Sequence, residues 1–241
     1  MAVAVATLVG VALGTGAHVA VGASASPSPP PEPVAQVAGA QLERVEPDEV
    51  FDGSLLRVEA SGCGVDRQAT ATVLDAPSGP LVLTNTHVVR GAGSVVVHAG
   101  DVAVTATVVG SIRDRDAAVL RVDAEVVADL EADGAAAWSA REIGRQSRVG
   151  DQLTVAGYPG GDAQALVGRV TSIEPRRAFG GTTEVLVVDA AAAPGVSGGA
   201  VLDEHGAVVA LVAARDPGTG STVAYPIADL LERSIEAVPG C

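Results

Sequence analysis

A chain of 241 residues is long enough for one substantial domain or two small ones, and its composition narrows what core it can build. Apolar residues make up 48% but aromatics only 2%, so Val, Leu, Ala and Ile must fill the interior; abundant Val with 29 Gly favours short strands and tight turns over long helices. The formal net charge is −14, every basic residue is Arg and no basic run occurs, which argues against a nucleic-acid partner.

Residues 2–22 are mostly Ala, Val, Leu and Gly, with His18 the one titratable side chain, and Ala23-Ser24-Ala25 fits the small-x-small pattern of a leader cleavage site. A basic n-region is missing, and about 20 apolar residues also suffice to span a bilayer. Residues 1–25 are therefore read as a signal peptide or a membrane anchor. Either reading places the rest of the chain outside the cytoplasm, secreted or held at the outer face of the membrane. Ser26 to Pro33 is Pro-rich and extended, and 26–49 form a linker to a folded domain expected from Val50.

From Leu55 the pattern is one of short β-type runs between turns: Leu55–Glu59, Ala69–Leu74, Leu81–Asn85, Ser94–His98, Val102–Val109 and Ala117–Val122. An Asp/Ala-rich connector over 123–143, carrying the single Trp138, leads to a second set: Gln152–Tyr158, Ala165–Ile173, Glu184–Val188, Ala200–Leu202, Val208–Ala213 and Ser221–Ala224. Six and six predict an all-β chain of two six-stranded antiparallel barrels, over 50–140 and 141–241. Ile227, Leu230, Leu231 and Ile235 recur at helical spacing and predict a terminal helix over Ile227–Ile235.

Three stretches could carry chemistry. Pro194-Gly195-Val196-Ser197-Gly198-Gly199 sets one serine among glycines, which allow a hydroxyl to protrude and backbone N–H groups to face a reacting oxygen. His87 follows the apolar run PLVLTNT and opens the turn HVVRG, so a rigid element can aim its imidazole. Asp116 enters the run DAAVLRV, where a carboxylate must be paired or hydrogen-bonded; Asp114 competes for the same role. His98, at a strand end, and His205, in the turn Asp203-Glu204-His205-Gly206, need no further function. No cluster has zinc-ligand spacing and no Gly-rich loop carries a phosphate-binding Lys, so neither metal nor cofactor is expected.

THVV, then DAAVL, then PGVSGG, in that order, resembles the chymotrypsin-like serine proteases, and in particular the bacterial HtrA/Deg type and related exported trypsin-like enzymes. The resemblance covers most of residues 55–235. It implies two perpendicular six-stranded barrels with a triad in the cleft: His87 as general base, Asp116 as its orienting acid, Ser197 as nucleophile, and the N–H groups of Gly195 and Ser197 as oxyanion hole. It implies a protein or peptide substrate. Asp189 matches an acidic position common in the HtrA-type motif, and Asp189, Ala191, Ala213, Ala214 and Ala224 are the candidates for the pocket that takes the residue before the scissile bond; their small side chains point to a small or medium apolar residue there. The family pattern differs in two places. Val196 stands where HtrA-type proteins usually have Asn and digestive proteases Asp, so activation by a buried new N-terminus is not expected. Ala69-Thr70-Ala71-Thr72 stands where the family often has Gly-Ser-Gly-Phe. No PDZ domain or cage assembly is carried over, and a monomer is expected.

Gly-x-Ser-x-Gly also describes the nucleophile elbow of α/β-hydrolases, but those run Ser, acid, His, and the β-rich pattern lacks their alternating helices. Two further readings stand beside the protease: a protease-like domain that no longer cleaves and serves as a binding or sensing module of the envelope, and a merely structural envelope protein. The two cysteines, Cys63 and Cys241, pair by default in an oxidising compartment; free thiols, or a bond from Cys241 to a second chain, are the alternatives. By the resemblance, the terminal helix packs back on the first barrel and brings the two together.

Overall fold

A computed structural model describes residues 50–241 apart from 78, 113, 133, 135–137, 179 and 180. The leader or anchor read over 1–25, the linker over 26–49 and His18 lie outside the described residues.

The first barrel comprises β1 (Leu55–Gly62), β2 (Val65–Ala76), β3 (Gly79–Thr84), β4 (Ser94–Ala99), β5 (Val102–Ile112) and β6 (Ala118–Val122), hydrogen-bonded in the order β5-β4-β1-β2-β3-β6 and closed by pairing of β5 with β6. One helical turn, α1 (Thr86–Val89), follows β3. The connector contains α2 (Ala124–Ala132), which buries no residue. The second barrel comprises β7 (Gln152–Gly157), β8 (Gln164–Ala178), β9 (Gly181–Val188), β10 (Ala200–Leu202), β11 (Val208–Arg215) and β12 (Thr222–Pro226), closed in the order β10-β11-β12-β9-β8-β7. A 3-10 turn, Pro159–Gly161, lies between β7 and β8. All pairings between these strands are antiparallel. This is the pair of six-stranded barrels that the strand count predicts.

Alternation along the strands sorts the apolar residues into three clusters. Leu56, Val58, Ala71, Val73 and Val97 fill the first barrel, and Leu153, Val155, Leu186, Val188 and Val212 fill the second. The third cluster draws on both, joining Leu55, Leu74 and Leu83 to Val187, Leu211 and Tyr225. With so few aromatics, the cores are branched aliphatic throughout, as the composition requires.

The terminal element departs from expectation. The helix α3 (Ile227–Leu231) stops at Leu231, and Ile235 lies instead in a two-residue strand, β13 (Ile235–Glu236), paired with Ile112 and Ser111 of β5. The helix packs on β11 and β12 of its own barrel and also meets the first barrel through Asp229 and Arg115, while β13 pairs on β5. Helical spacing of Ile235 with Leu231 is real, but a long-range pairing on β5 outweighs so short a local preference.

Candidate active site

Strand β3 delivers its last residue, Thr84, into the buried stretch Thr84-Asn85-Thr86. Thr86, Val88 and Val89 of α1 point into the protein, which leaves His87 as the residue of that turn facing outward, 45% of its side chain exposed. Two side chains anchor this turn to the segment before β6. Asn85 Nδ2 donates to the Asp116 carbonyl, and the Thr86 hydroxyl donates to the Ala117 carbonyl at 2.9 Å. The Asp116 carboxylate, only 3% exposed, closes the arrangement. Its Oδ1 accepts the His87 backbone N–H at 2.8 Å and its Oδ2 meets the ring at Nδ1. A carboxylate held on both groups fixes the ring plane and favours the proton on Nδ1, which leaves Nε2 as acceptor. Asp114, the competing acid, is exposed on a turn at φ 57° and makes no bond to His87.

The serine loop is built by bonds to both barrels. The N–H of Gly198 donates to the Val212 carbonyl and that of Val212 to Gly199. The Val196 carbonyl accepts from the Gly199 N–H at 2.8 Å, and because C=O and N–H of a peptide point in opposite directions, the Ser197 N–H is turned the other way. Among the described residues neither the Gly195 nor the Ser197 N–H has a backbone partner. Glycine is required twice. Gly195 sits at φ 104° with Tyr158 O 2.8 Å from where a Cβ would fall, and Gly198 at φ 80° lies directly against the Thr70 carbonyl. Val196 is buried in the interior of the second barrel, so an apolar residue fills the position where the family carries Asn or Asp.

Strand β2 was the part of the site that sequence reasoning missed. Thr70 donates its N–H to the Ser197 carbonyl and its hydroxyl to Gly195 O, each at 2.9 Å; the Thr72 hydroxyl donates to Gly198 O, also at 2.9 Å. The Thr84 hydroxyl in turn donates to Thr70 O at 2.7 Å, so the segments bearing His87 and Ser197 hang on the same residue. The Ala-Thr-Ala-Thr departure supplies the side chains that make these bonds. The available signal was Thr alternating with Ala in a strand, which marks two hydroxyls on one face.

A second cross-link lies behind the acid. Arg115, 4% exposed, makes a forked pair with Asp229 of α3, Nε to Oδ2 at 2.6 Å and Nη2 to Oδ1 at 3.1 Å. Tyr225 of β12 is buried beside Asp116. Burial, followed by the Asp116 charge, pushes the Tyr225 phenol up to about 12.

The pocket candidates are less unified. Asp189 and Ala191 are exposed on the bend after β9, with the Asp189 N–H held by the Arg169 carbonyl. Ala213 lies at a bulge in β11 and packs with Val223, while Ala214 is exposed. Ala224 is fully buried in the interior of the second barrel, on the other face from Ala213, because adjacent strand residues point oppositely. The Cα atoms of Cys63 and Cys241 are 6.0 Å apart, with both sulfurs beside Gly93. Among the described residues no helix is long and apolar enough to cross a membrane.

Residues 60–211 match the family model described as trypsin-like peptidase domain. The chain is 32% identical over 164 residues to the chloroplastic protease Do-like 1 of Arabidopsis thaliana, covering 61% of this chain and 34% of that protein. It thus spans about a third of that relative's length. Among solved structures it is similar to the active form of the Rv3671c protease of M. tuberculosis, with TM-score 0.65 and 24% identity over 81% of this chain and 86% of the other. It is also similar to the HtrA-type protease AlgW with a tripeptide, with TM-score 0.64 and 25% identity over 77% and 60%.

Proposed function

This chain belongs to the trypsin-like peptidase family, and on that premise we propose that it is a serine endopeptidase working through His87, Asp116 and Ser197. The Ser197 hydroxyl attacks a peptide carbonyl while His87 Nε2 takes its proton. Asp116 stabilises the imidazolium so formed. The N–H groups of Gly195 and Ser197 hold the oxyanion, and His87 then passes the proton to the leaving amine. Water activated by the same imidazole hydrolyses the acyl-enzyme. The observation that carries this reading is the double engagement of Asp116 with the His87 backbone and ring.

The substrate is a protein or peptide, with a small or medium apolar residue before the scissile bond received near Ala191, Ala213 and Ala214. The enzyme acts outside the cytoplasm as a monomer, after removal of residues 1–25 or anchored through 2–22, and carries a bond between Cys63 and Cys241. Labelling with a fluorophosphonate probe tests the chemistry: the wild-type chain is modified at Ser197 and Ser197→Ala is not. An unmodified wild type would overturn the reading in favour of a non-cleaving binding module. N-terminal sequencing from the native host tests export; a soluble cytoplasmic chain retaining Met1 contradicts it.

A further inference from the structure

The turn that carries His87 is too short to hold itself in place. It comprises four residues, Asn85 gives it no side-chain cap, and two backbone bonds close it, Val88 N–H to the Asn85 carbonyl at 3.2 Å and Arg90 N–H to the Thr86 carbonyl at 2.9 Å. Isolated turns of this length are unstable and leave carbonyls without partners at their ends. Asp116 fixes the Nδ1 edge of the ring from one side. The opposite end of the turn needs a partner of its own.

Arg67 of β2 supplies it. Its Nη1 carries two hydrogens, and these go to the carbonyls of Val88 at 3.1 Å and Arg90 at 3.0 Å, one and three residues past His87. Both hydrogen bonds that Arg67 makes among the described residues therefore end on this turn. Backbone bonds just beyond it run from Gly91 N–H to the Pro239 carbonyl at 3.3 Å, from Ala92 N–H to Val89 at 3.1 Å and from Gly93 N–H to Ser61 at 2.8 Å, while Arg67 alone among the described side chains bonds the Val88 and Arg90 carbonyls. Arg67 is exposed, so the packing of the barrel does not require it. Its strand is also the one that holds the serine loop, through Thr70 three residues on and Thr72 beyond.

We propose that Arg67 is a positioning residue for the reaction. It ties the His87 turn to the strand that holds the Ser197 loop and so sets the approach of imidazole to hydroxyl. It touches neither substrate nor reacting atoms. The inference rests on the assignment of His87 as base and Ser197 as nucleophile. A guanidinium suits the task because it directs two hydrogens from one planar nitrogen, whereas an ammonium on a flexible stem is a point charge. Misplacement of a catalytic group by about 1 Å costs on the order of a hundredfold in rate.

The test compares wild type, Arg67→Ala and Arg67→Lys in peptide hydrolysis, with rates expressed per site labelled by a fluorophosphonate probe. Arg67→Ala is expected to lower kcat by about tenfold or more with KM and Tm close to wild type. Arg67→Lys falls between the two, and guanidinium ion, added far below denaturing concentration, restores part of the alanine variant's rate. Unchanged kcat per labelled site overturns the proposal. So does a loss of kcat that tracks a lower Tm and ignores guanidinium, which is the signature of a merely structural residue. A wild type that fails to label removes the nucleophile assignment beneath it, and is seen before any variant is compared.

Discussion

Thr70 donates its backbone N–H to the carbonyl of Ser197 at 2.9 Å, so a strand of the first barrel holds the Ser197 loop of the second. Its hydroxyl sits at the same junction, giving to Gly195 O and receiving the Tyr158 N–H, both at 2.9 Å. Thr70→Val keeps the shape and deletes the hydroxyl, leaving a partly buried carbonyl and a partly buried N–H without partners. Unpaired groups of this kind cost about 1–3 kcal/mol each, so a loss near 2 kcal/mol in urea unfolding is expected, with kcat down by about tenfold. Thr70→Ser should stay near wild type in both. Equal stability of the Val variant would show that the hydroxyl contributes nothing.

For the triad, Ser197→Ala and His87→Ala should each lower kcat by about 10⁶, and the double variant should be little worse, because the two act as one unit. Asp116→Asn should cost on the order of 10⁴ by holding the wrong tautomer of His87. Additive losses in the double variant would mean that base and nucleophile work independently.

The chain has two tyrosines, and burial raises the pKa of both, Tyr225 to about 12. A phenol raised in the folded state favours folding below its ordinary value near 10, and that contribution is lost as pH rises through the folded value. An absorbance titration should therefore show little tyrosinate at pH 10–11, followed by ionisation together with loss of structure. A reversible transition near pH 10 in the folded protein would contradict the buried setting of Tyr225 beside Asp116.

Burial would raise the carboxyl of Asp229, but hydrogen bonds from Arg233 and Arg115 outweigh it and hold the group below its usual value. The sign is that of a depressed acid. Its contribution is present above the unfolded value near 4 and is lost as pH falls towards the folded value. Asp229→Asn leaves the buried Arg115 without a counter-charge and should lose about 2 kcal/mol at pH 7. The gap between wild type and variant should narrow as pH falls below about 4; a constant gap would exclude the charge as its cause.

Cys63 and Cys241 are 178 residues apart in the chain. In the chain-entropy description, a bond closing so long a loop contributes about 5 kcal/mol, and strain lowers that figure in practice. Cys241→Ser or reduction should accordingly lower Tm well beyond the effect of a surface substitution. Two thiols that alkylate in protein isolated without reductant would dismiss the bond.

How far the fold could be read from the sequence depends on the range of the signal. Val-rich runs bounded by Gly and Pro announce the twelve barrel strands, because alternation and turn chemistry are local. The candidate residues His87, Asp116 and Ser197 stand out through short motifs in a fixed order, and the pairing of His87 with Asp116 is a further contact that such motifs imply. The helix α2 left a signal that went unread: Asp123 caps its start, with Oδ1 accepting the Glu125 N–H at 2.9 Å, and Ala, Glu and Leu follow. In contrast, β13 consists of two residues whose pairing with Ile112 and Ser111 is settled across more than 100 residues of chain. The roles of Thr70 and Arg67 were hidden for the same reason, since a threonine hydroxyl or a guanidinium names no partner until the strands close.

Trp138 packs against the interior of the first barrel, while Tyr225 and Tyr158 belong to the cluster shared by both. The molecule therefore carries two optical reporters that view different places. Indole fluorescence follows one barrel, and phenol absorbance follows the seam. Heating curves recorded on the two signals would superimpose if the barrels melt as one cooperative body and would separate if the seam parts first. The poverty of aromatic residues that left the cores aliphatic also makes the two halves separately visible in the ultraviolet, with no label attached.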